Sequence, residues 1–155
     1  MLYINKEGKR AMSRQILKKE RIITDRLTLG SYRKEDRDRL AEMMRNPEIT
    51  ATFMVPDYSE EVQFYALADK LIEFSQINDT THLEYGVYLD GYMIGFVNDC
   101  GYDDEAIELG YVIDPAFKGR GFATEAVNAV INELHEMGFK KVVAGFLKEI
   151  SAAEK

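Results

Sequence analysis

The chain has 155 residues, of which 46% are hydrophobic and 30% are charged, and its formal net charge is −7. This length suits one globular domain with a buried core, and an aromatic content of 11% argues against disorder. The single cysteine, Cys100, excludes an intramolecular disulfide and therefore the disulfide-rich secreted modules. No apolar run approaches the roughly 20 residues of a membrane-spanning helix, and the first residues turn polar too early for a signal peptide. We therefore expect a cytoplasmic globular domain with no membrane and, given its acidity, no DNA as partner.

Charge is unevenly distributed along the chain. Residues 1–21 hold seven basic and two acidic side chains, a balance of +5, whereas the remaining 134 residues carry −12. The spacing of Met12, Ile16 and Leu17 predicts a helix over 9–20. The sequence therefore predicts a basic, helical N-terminal extension over 1–21 and a domain over 22–155. The extension is interpreted as a solvated arm partly docked on the acidic body, or alternatively as a phosphate-binding arm or a dimer contact.

The hydrophobic pattern predicts eight elements after the basic segment. In chain order they are a strand at 26–32, a helix at 34–45, a second helix after Ser59, a hairpin of strands 82–89 and 92–98 around Asp90-Gly91, a third strand at 106–113, a helix at 123–137 and a buried strand at 141–147. The order β-α-α-β-β-β-α-β is neither a doubly wound repeat nor a β-sandwich. It predicts an α/β fold in which helices flank a mixed sheet.

The turn before the last predicted helix has the composition of an anion-binding site. It reads Lys118-Gly119-Arg120-Gly121-Phe122-Ala123-Thr124. The first N–H groups of a helix lack intrahelical partners, and the helix dipole adds about half a positive charge there. Gly119 and Gly121 allow the backbone to approach a bulky anion, while Lys118 and Arg120 add positive charge. The spacing fits neither a P-loop nor a dinucleotide fingerprint, so the residues alone predict a phosphate-binding helix start or a plain glycine-rich connection.

This stretch resembles the acetyl-CoA-binding motif of the GCN5-related N-acetyltransferase (GNAT) family, Gln/Arg-x-x-Gly-x-Gly/Ala, with Lys118 in the first position. Over roughly residues 21–150 the chain resembles the branch of ribosomal-protein N-terminal (alanine or serine) acetyltransferases. The segments that carry this second resemblance are Thr24-Asp25-Arg26-Leu27, Asn46-Pro47-Glu48 and Glu108-Leu109-Gly110-Tyr111.

The resemblance implies a GNAT-like, mostly antiparallel central sheet flanked by helices, with acetyl-CoA as co-substrate and no metal. The residues that it places at the cofactor are Tyr111, Val112 and Ile113 for the pantetheine arm, and Lys118, Gly119, Arg120, Gly121, Phe122, Ala123 and Thr124 for the phosphates. An amine must lose a proton to attack, and Glu108 is the candidate base. The alternative role for Glu108 is that of a solvated or salt-bridged strand carboxylate.

The sequence departs from the family pattern at its end. The family's fold continues through a further helix and two strands, so we expect a C-terminally truncated domain that lacks them, together with the tyrosine that protonates the leaving thiolate. The strand at 141–147 is then an apolar sheet edge, which we expect the basic N-terminal segment or a second copy, in a homodimer, to cover.

Three functions stay open at this point. The first is transfer of an acetyl group from acetyl-CoA to a primary amine, either a protein N-terminus or a small-molecule amine. The second is a non-catalytic relative that binds CoA or a protein partner. The third is an interaction module whose basic head contacts RNA or the ribosome. His82 and His135 lack metal-ligand spacing, so no metal site is predicted.

Overall fold

A computed structural model describes residues 14–51 and 55–144, together with the backbone of two short strands, β1 (Leu2–Ile4) and β2 (Arg10–Met12), which pair antiparallel with each other. The rest of the described chain is built around one six-stranded sheet whose spatial order is its sequence order. Its strands are β3 (Arg21–Ile23), β4 (Thr28–Gly30), β5 (Glu84–Leu89), β6 (Tyr92–Tyr102), β7 (Ala106–Ile113) and β8 (Lys141–Ala144).

All neighbouring strands of this sheet are antiparallel except β7 and β8, which are parallel. The predicted hairpin is confirmed: Asp90 and Gly91 both have positive φ, +50° and +82°, as a type I′ turn requires. The predicted mixed α/β fold with a mostly antiparallel sheet is therefore confirmed.

Helices cover both faces of the sheet. The described α-helices are α1 (Arg37–Arg45), α2 (Pro47–Thr50), α3 (Glu61–Ser75) and α4 (Phe122–Glu136). One apolar core lies between the sheet and α4, and a second lies between the opposite face and the pair α1 and α3. Strand β5 is consequently buried on both faces, with Tyr85 and Val87 in the first core and Tyr88 in the second. Within the described residues, no helix is long and apolar enough to cross a bilayer.

The helix predicted over 9–20 is wrong, because Arg10–Met12 forms strand β2 and residues 14–20 form neither helix nor strand. Burial in this segment alternates: Ile16 and Lys18 are buried, whereas Leu17 between them is 64% exposed. That period of two does not fit a helix, whose buried positions recur every three or four residues.

Distant hydrogen bonds explain why this segment does not form a helix. The Ile16 N–H donates to the carbonyl of Thr80 at 2.7 Å, and the Lys19 N–H donates to the Glu133 carboxylate at 2.7 Å. Tertiary partners thus take the backbone groups that a helix would use. Since Ile16 is fully buried in the core beneath α4, residues 14–20 belong to the packed body of the protein rather than to a separate extension.

Strand β8 lies at one end of the sheet, as predicted for an edge. Among the described residues, no strand pairs with its outer side, so the described part of the N-terminal segment does not cover this edge as a strand. Val143 on it is 42% exposed. The predicted continuation over 145–147 lies outside the described residues, and cover by a second copy stays a prediction.

Candidate functional site

A tight turn connects β7 to α4. The Asp114 carboxylate accepts the Ala116 N–H at 2.9 Å and so starts a short 3₁₀ turn, Pro115–Phe117. Gly119 and Gly121 then both adopt φ of +79°, in the left-handed region that side chains rarely occupy. Gly121 is the N-cap of α4, and its conformation directs the chain into a helix start that no side chain caps. The first N–H groups of α4 therefore have no intrahelical acceptor.

Two cations flank these glycines. The side chains of Lys118 and Arg120 are exposed and form no ion pair with the described residues. A Cβ built on Gly119 would meet nothing within 4 Å, so the space over the turn is open. Phe122, by contrast, is 4% exposed and packs into the core beneath α4, so only its backbone could face a ligand. The turn therefore has the shape and the charge of an anion site.

An arginine that the sequence reasoning did not select holds this turn. The Arg26 guanidinium donates from Nε to the Glu125 carboxylate at 2.7 Å and from Nη1 to the Arg120 carbonyl at 2.8 Å. Thr24 Oγ1 and the Arg26 N–H donate to the same carboxylate at 2.5 and 2.9 Å. The guanidinium also lies over the Phe122 ring, 4.4 Å from its centre. We call Thr24, Arg26 and Glu125 the loop clamp. Arg26 and Thr24 stood only within a segment of family resemblance, which gave no indication of their contacts.

A second arginine holds the other end of the turn. Arg39 of α1 donates to the Asp114 carboxylate at 2.5 Å and to the Met93 carbonyl at 3.0 Å. Partial burial alone would raise the pKa of Asp114, but the hydrogen bonds from Ala116 and Arg39 outweigh it and lower that pKa. The turn is thus fixed at both ends by residues that are far away in sequence.

The strand before the turn carries the other predicted cofactor residues. The described pairing between β7 and β8 runs from Ala106 to Leu109, and Tyr111, Val112 and Ile113 follow beyond it. Val112 is 6% exposed and lies in the core beneath α1 and α3, whereas Tyr111 and Ile113 are partly buried. Only the backbone of Val112 is therefore placed to face a ligand.

The candidate base, Glu108, is exposed on the same strand. By the alternation of β7 it shares the sheet face of Gly110 and Val112, the face covered by α1 and α3. It pairs with Gly101 beside an irregularity in β6 that leaves Cys100 out of register. The structure thus brings Glu108 onto the strand that leads to Tyr111–Ile113 and leaves it accessible to solvent.

Sequence reasoning missed a second carboxylate on this face. Glu84 is 3% exposed and accepts the Tyr32 hydroxyl at 2.5 Å. Burial raises the pKa of Glu84 to about 8, although hydrogen bonds from Tyr32 and Asn98 act against the increase. The buried Asn98 Oδ1 has no hydrogen-bond partner among the described residues. The sequence offered no signal, because Glu84 stands in an ordinary alternating strand.

The two carboxylates lie on the same face of the sheet, two strands apart. Glu84 pairs with Asn98, which pairs with Gly110, and these residues share the sheet face of Glu108. Partial burial and the neighbouring carboxylates, Glu108 and Glu84 among them, raise the pKa of the Cys100 thiol. A raised pKa disfavours the thiolate, so Cys100 is a poor nucleophile.

A cavity of about 780 Å³ lies beside β4, lined in part by Arg21, Tyr32, Gln76 and Tyr88. Its lining includes none of the residues predicted for the site. Within residues 14–51 and 55–144, no group of three or more His, Cys, Asp or Glu side chains could hold a metal ion.

Comparison with known families decides the relationship. Residues 26–153 match the family model of the acetyltransferase (GNAT) domain. The chain belongs to the GNAT family. The match covers most of the chain and includes the glycine turn together with Arg26 and Glu125 of the loop clamp, so these residues lie within a GNAT acetyltransferase domain.

Individual GNAT relatives are distant. An uncharacterized N-acetyltransferase, p20, from Bacillus licheniformis is 26% identical over 118 residues, and the match spans 73% of this chain and 65% of that protein, less than two thirds of its length.

Solved GNAT structures share the fold at low identity. A GNAT acetyltransferase from Bacillus anthracis has a TM-score of 0.67 at 18% identity, covering 85% of this chain and 76% of its own. RimL, a ribosomal L7/L12 α-N-protein acetyltransferase in complex with CoA, has a TM-score of 0.70 at 16% identity, with coverages of 86% and 78%. The microcin C7 self-immunity acetyltransferase MccE, in complex with acetyl-CoA and AMP, has a TM-score of 0.70 at 19% identity, with coverages of 88% and 81%.

Proposed function

We propose that this domain transfers an acetyl group from acetyl-CoA to a primary amine by direct attack within a ternary complex. The observation that carries the proposal is the glycine turn at the start of α4, open and flanked by cations, inside a domain of the GNAT family. An anion such as the CoA pyrophosphate fits a helix start of this kind, where N–H groups and the helix dipole converge.

The glycine turn and the end of β7 bind different parts of acetyl-CoA. The backbone N–H groups of Gly119–Ala123 receive the pyrophosphate, and Lys118 and Arg120 supply charge at its rim. The backbone of Tyr111–Ile113 binds the pantetheine arm as an added strand, and an N–H of this segment polarises the thioester carbonyl in an oxyanion-type role. The bound co-substrate supplies an activated acetyl group.

The chemical step needs a neutral amine. Glu108, exposed on the face of β7 that it shares with Gly110 and Val112, takes the proton from the amine, directly or through water. The amine nitrogen forms a bond to the carbonyl carbon, the carbon–sulfur bond breaks, and the thiolate takes a proton from water.

We further propose that the acceptor is a protein N-terminus or a small-molecule amine. The resemblance of Thr24–Leu27 and Glu108–Tyr111 to the ribosomal-protein N-terminal acetyltransferases supports the first, as does the fold similarity to RimL.

Calorimetric titration with acetyl-CoA, followed by thiol-release assays against N-terminal peptides and small amines, tests the proposal. Saturable binding with thiol release that depends on the amine is the expected result. Binding without release under any acceptor would favour a non-catalytic CoA-binding domain, and absence of binding would contradict both.

Replacement of the candidate base, Glu108→Gln, is expected to lower kcat at neutral pH by about 100-fold, because general-base catalysis typically contributes that much or more. The pH optimum should shift upward as well, because without the base the neutral amine must form by itself. Glu105→Gln is the matched control, since Glu105 is an exposed carboxylate just before β7 whose ion pair, among residues 14–51 and 55–144, is with Lys140 at 3.6 Å. An unchanged profile in Glu108→Gln would remove Glu108 from the mechanism, and the same measurement on Glu84→Gln would then test the buried carboxylate.

A further inference from the structure

We infer that Arg26 is a positioning residue for the cofactor turn, which it holds in shape through Glu125 and through the carbonyl of Arg120 without binding the cofactor itself. The inference rests on the proposed function for its kinetic part, and on the geometry of the loop clamp for the rest.

The contacts of Arg26 fix three parts of the turn relative to one another. Its Nη1 group holds the Arg120 carbonyl between the two glycines, its Nε group holds Glu125 in the first turn of α4, and its face covers Phe122. A Cβ built on Gly121 would stand 3.4 Å from Arg26 Nη2, so the guanidinium also lies against the N-cap. One side chain therefore restrains the turn from its centre to the helix start.

Electrostatics makes Glu125 unexpected at this position. A carboxylate in the first turn of a helix interacts well with the helix dipole, but it repels an anion that binds to the same N–H groups. Here Thr24 and Arg26 supply three hydrogen bonds to that carboxylate. The ion pair with Arg26 offsets the negative charge of Glu125, so Lys118 and Arg120 are the charged side chains at the rim of the turn.

The Arg26 side chain makes its contacts with the protein itself and is not placed to bind a ligand. Two of its guanidinium nitrogens donate to protein acceptors, and its π face rests on an aromatic ring. An arginine that bound phosphate directly would have to give up part of this network. The geometry therefore favours an indirect role, in which Arg26 keeps the turn preorganised for binding.

The variant Glu125→Gln separates this role from simple charge effects. It removes a negative charge beside the anion site and releases Arg26, so an electrostatic role predicts tighter binding of acetyl-CoA. Positioning predicts the opposite, because the turn loses its anchor. We expect KM for acetyl-CoA to rise about tenfold, as for loss of one charged hydrogen bond, with kcat nearly unchanged. A lowered KM would overturn the inference.

Arg26 variants complete the test. Arg26→Gln should raise KM by a similar factor, and the double variant with Glu125→Gln should be no worse than either single one, because both act through the same contact. Arg26→Lys retains the charge but not the planar fork, so it should not restore KM. Additive effects in the double variant, or full activity in Arg26→Lys, would contradict positioning.

Amide hydrogen exchange at Lys118 and at residue 125, whose N–H groups donate to the Pro115 and Gly121 carbonyls at 3.2 and 3.1 Å, is measured without cofactor and makes the test independent of the proposed function. Arg26→Gln and Glu125→Gln should both accelerate exchange there by at least several-fold, while exchange in β5 and β6 stays at the wild-type rate. Arg37→Gln is the matched control, because Arg37 forms a similar fork to Asp69 and lies over Tyr65, away from the turn. Unchanged exchange in both variants, Arg26→Gln and Glu125→Gln, would overturn the inference even if the enzyme is active. Accelerated exchange in a protein that binds no acetyl-CoA would support the role of the loop clamp and contradict the proposed function.

Discussion

Two carboxylates of this domain have pKa values that are shifted in opposite directions. Glu125, beside the glycine turn, lies near the surface. Partial burial alone would raise its pKa, but hydrogen bonds from Thr24 and Arg26 lower that pKa instead. Glu84, on the face beneath α1 and α3, is buried, and burial raises its pKa to about 8. At neutral pH Glu125 is an ionised partner of an arginine, whereas Glu84 is largely protonated within an interior network.

The two shifts show that the surface turn is held by an ionised carboxylate, whereas the buried site contains a neutral one. Around the turn, a paired and ionised carboxylate holds a surface loop whose two glycines adopt the left-handed conformation. Around Glu84, the Tyr32 hydroxyl and the buried lysine Lys18 surround a group that burial keeps neutral. The two regions should therefore respond differently to substitution and to pH.

The N-terminal segment that carries Lys18 toward Glu84 is anchored by Ile16, which lies in the core beneath α4. Ile16→Ala should lower the free energy of unfolding by about 2–5 kcal/mol, the range for a fully buried aliphatic side chain. Leu17→Ala, at an exposed neighbour, should change it by no more than about 0.5 kcal/mol. Chemical denaturation of both variants measures this, and equal small effects would show that the segment does not belong to the packed body.

The pH dependence of stability distinguishes Glu84 from Glu125. Because the pKa of Glu84 is raised in the folded state, its contribution to stability is present at low pH and is lost as pH rises from about 4.5 to about 8. Relative to Glu84→Gln, the wild type should lose up to about 1.4 kcal/mol for each pH unit in that window. For Glu125, whose pKa is lowered, the sign is reversed, and the clamp's contribution is lost only as pH falls below about 4.5. Denaturation of wild type and Glu84→Gln at several pH values checks this, and parallel curves would contradict a protonated Glu84.

A substitution in the glycine turn should have the smallest effect on the free energy of unfolding and the most local effect on binding. Gly121→Ala forces a side chain into the left-handed region and should cost about 1–2 kcal/mol. Gly91→Ala, at φ of +82° in the hairpin between β5 and β6, should cost a similar amount, since nothing lies within 4 Å of its added Cβ. Only Gly121→Ala should weaken acetyl-CoA binding in calorimetric titration. If both variants bound equally well, the turn would not be the cofactor site.

The elements that the sequence predicted share a local signal. The hairpin followed from Asp90-Gly91, and the start of α4 followed from Gly119 and Gly121, because these residues determine the backbone conformation where they stand. The contacts that hold those elements could not be predicted in the same way. Arg26 reaches Glu125 across 99 positions, and Arg39 reaches Asp114 across 75.

The incorrect prediction of a helix over 9–20 also results from long-range contacts. The apolar spacing of Met12, Ile16 and Leu17 fits a helix locally. In the structure, however, Ile16 is buried in the core, Leu17 is exposed, and the Lys19 N–H donates to Glu133. The raised pKa of Glu84 likewise depends on burial by elements from three parts of the chain. Long-range packing, which a single sequence does not display, decides these features.

The most direct test of the central claim is an NMR titration of isotopically labelled protein with acetyl-CoA, followed through backbone amide shifts. The account predicts saturable shifts concentrated at Gly119–Thr124, with smaller ones at Tyr111–Ile113. Absence of saturable shifts, or shifts centred on the cavity beside β4, would contradict the assignment of the glycine turn as the acetyl-CoA site.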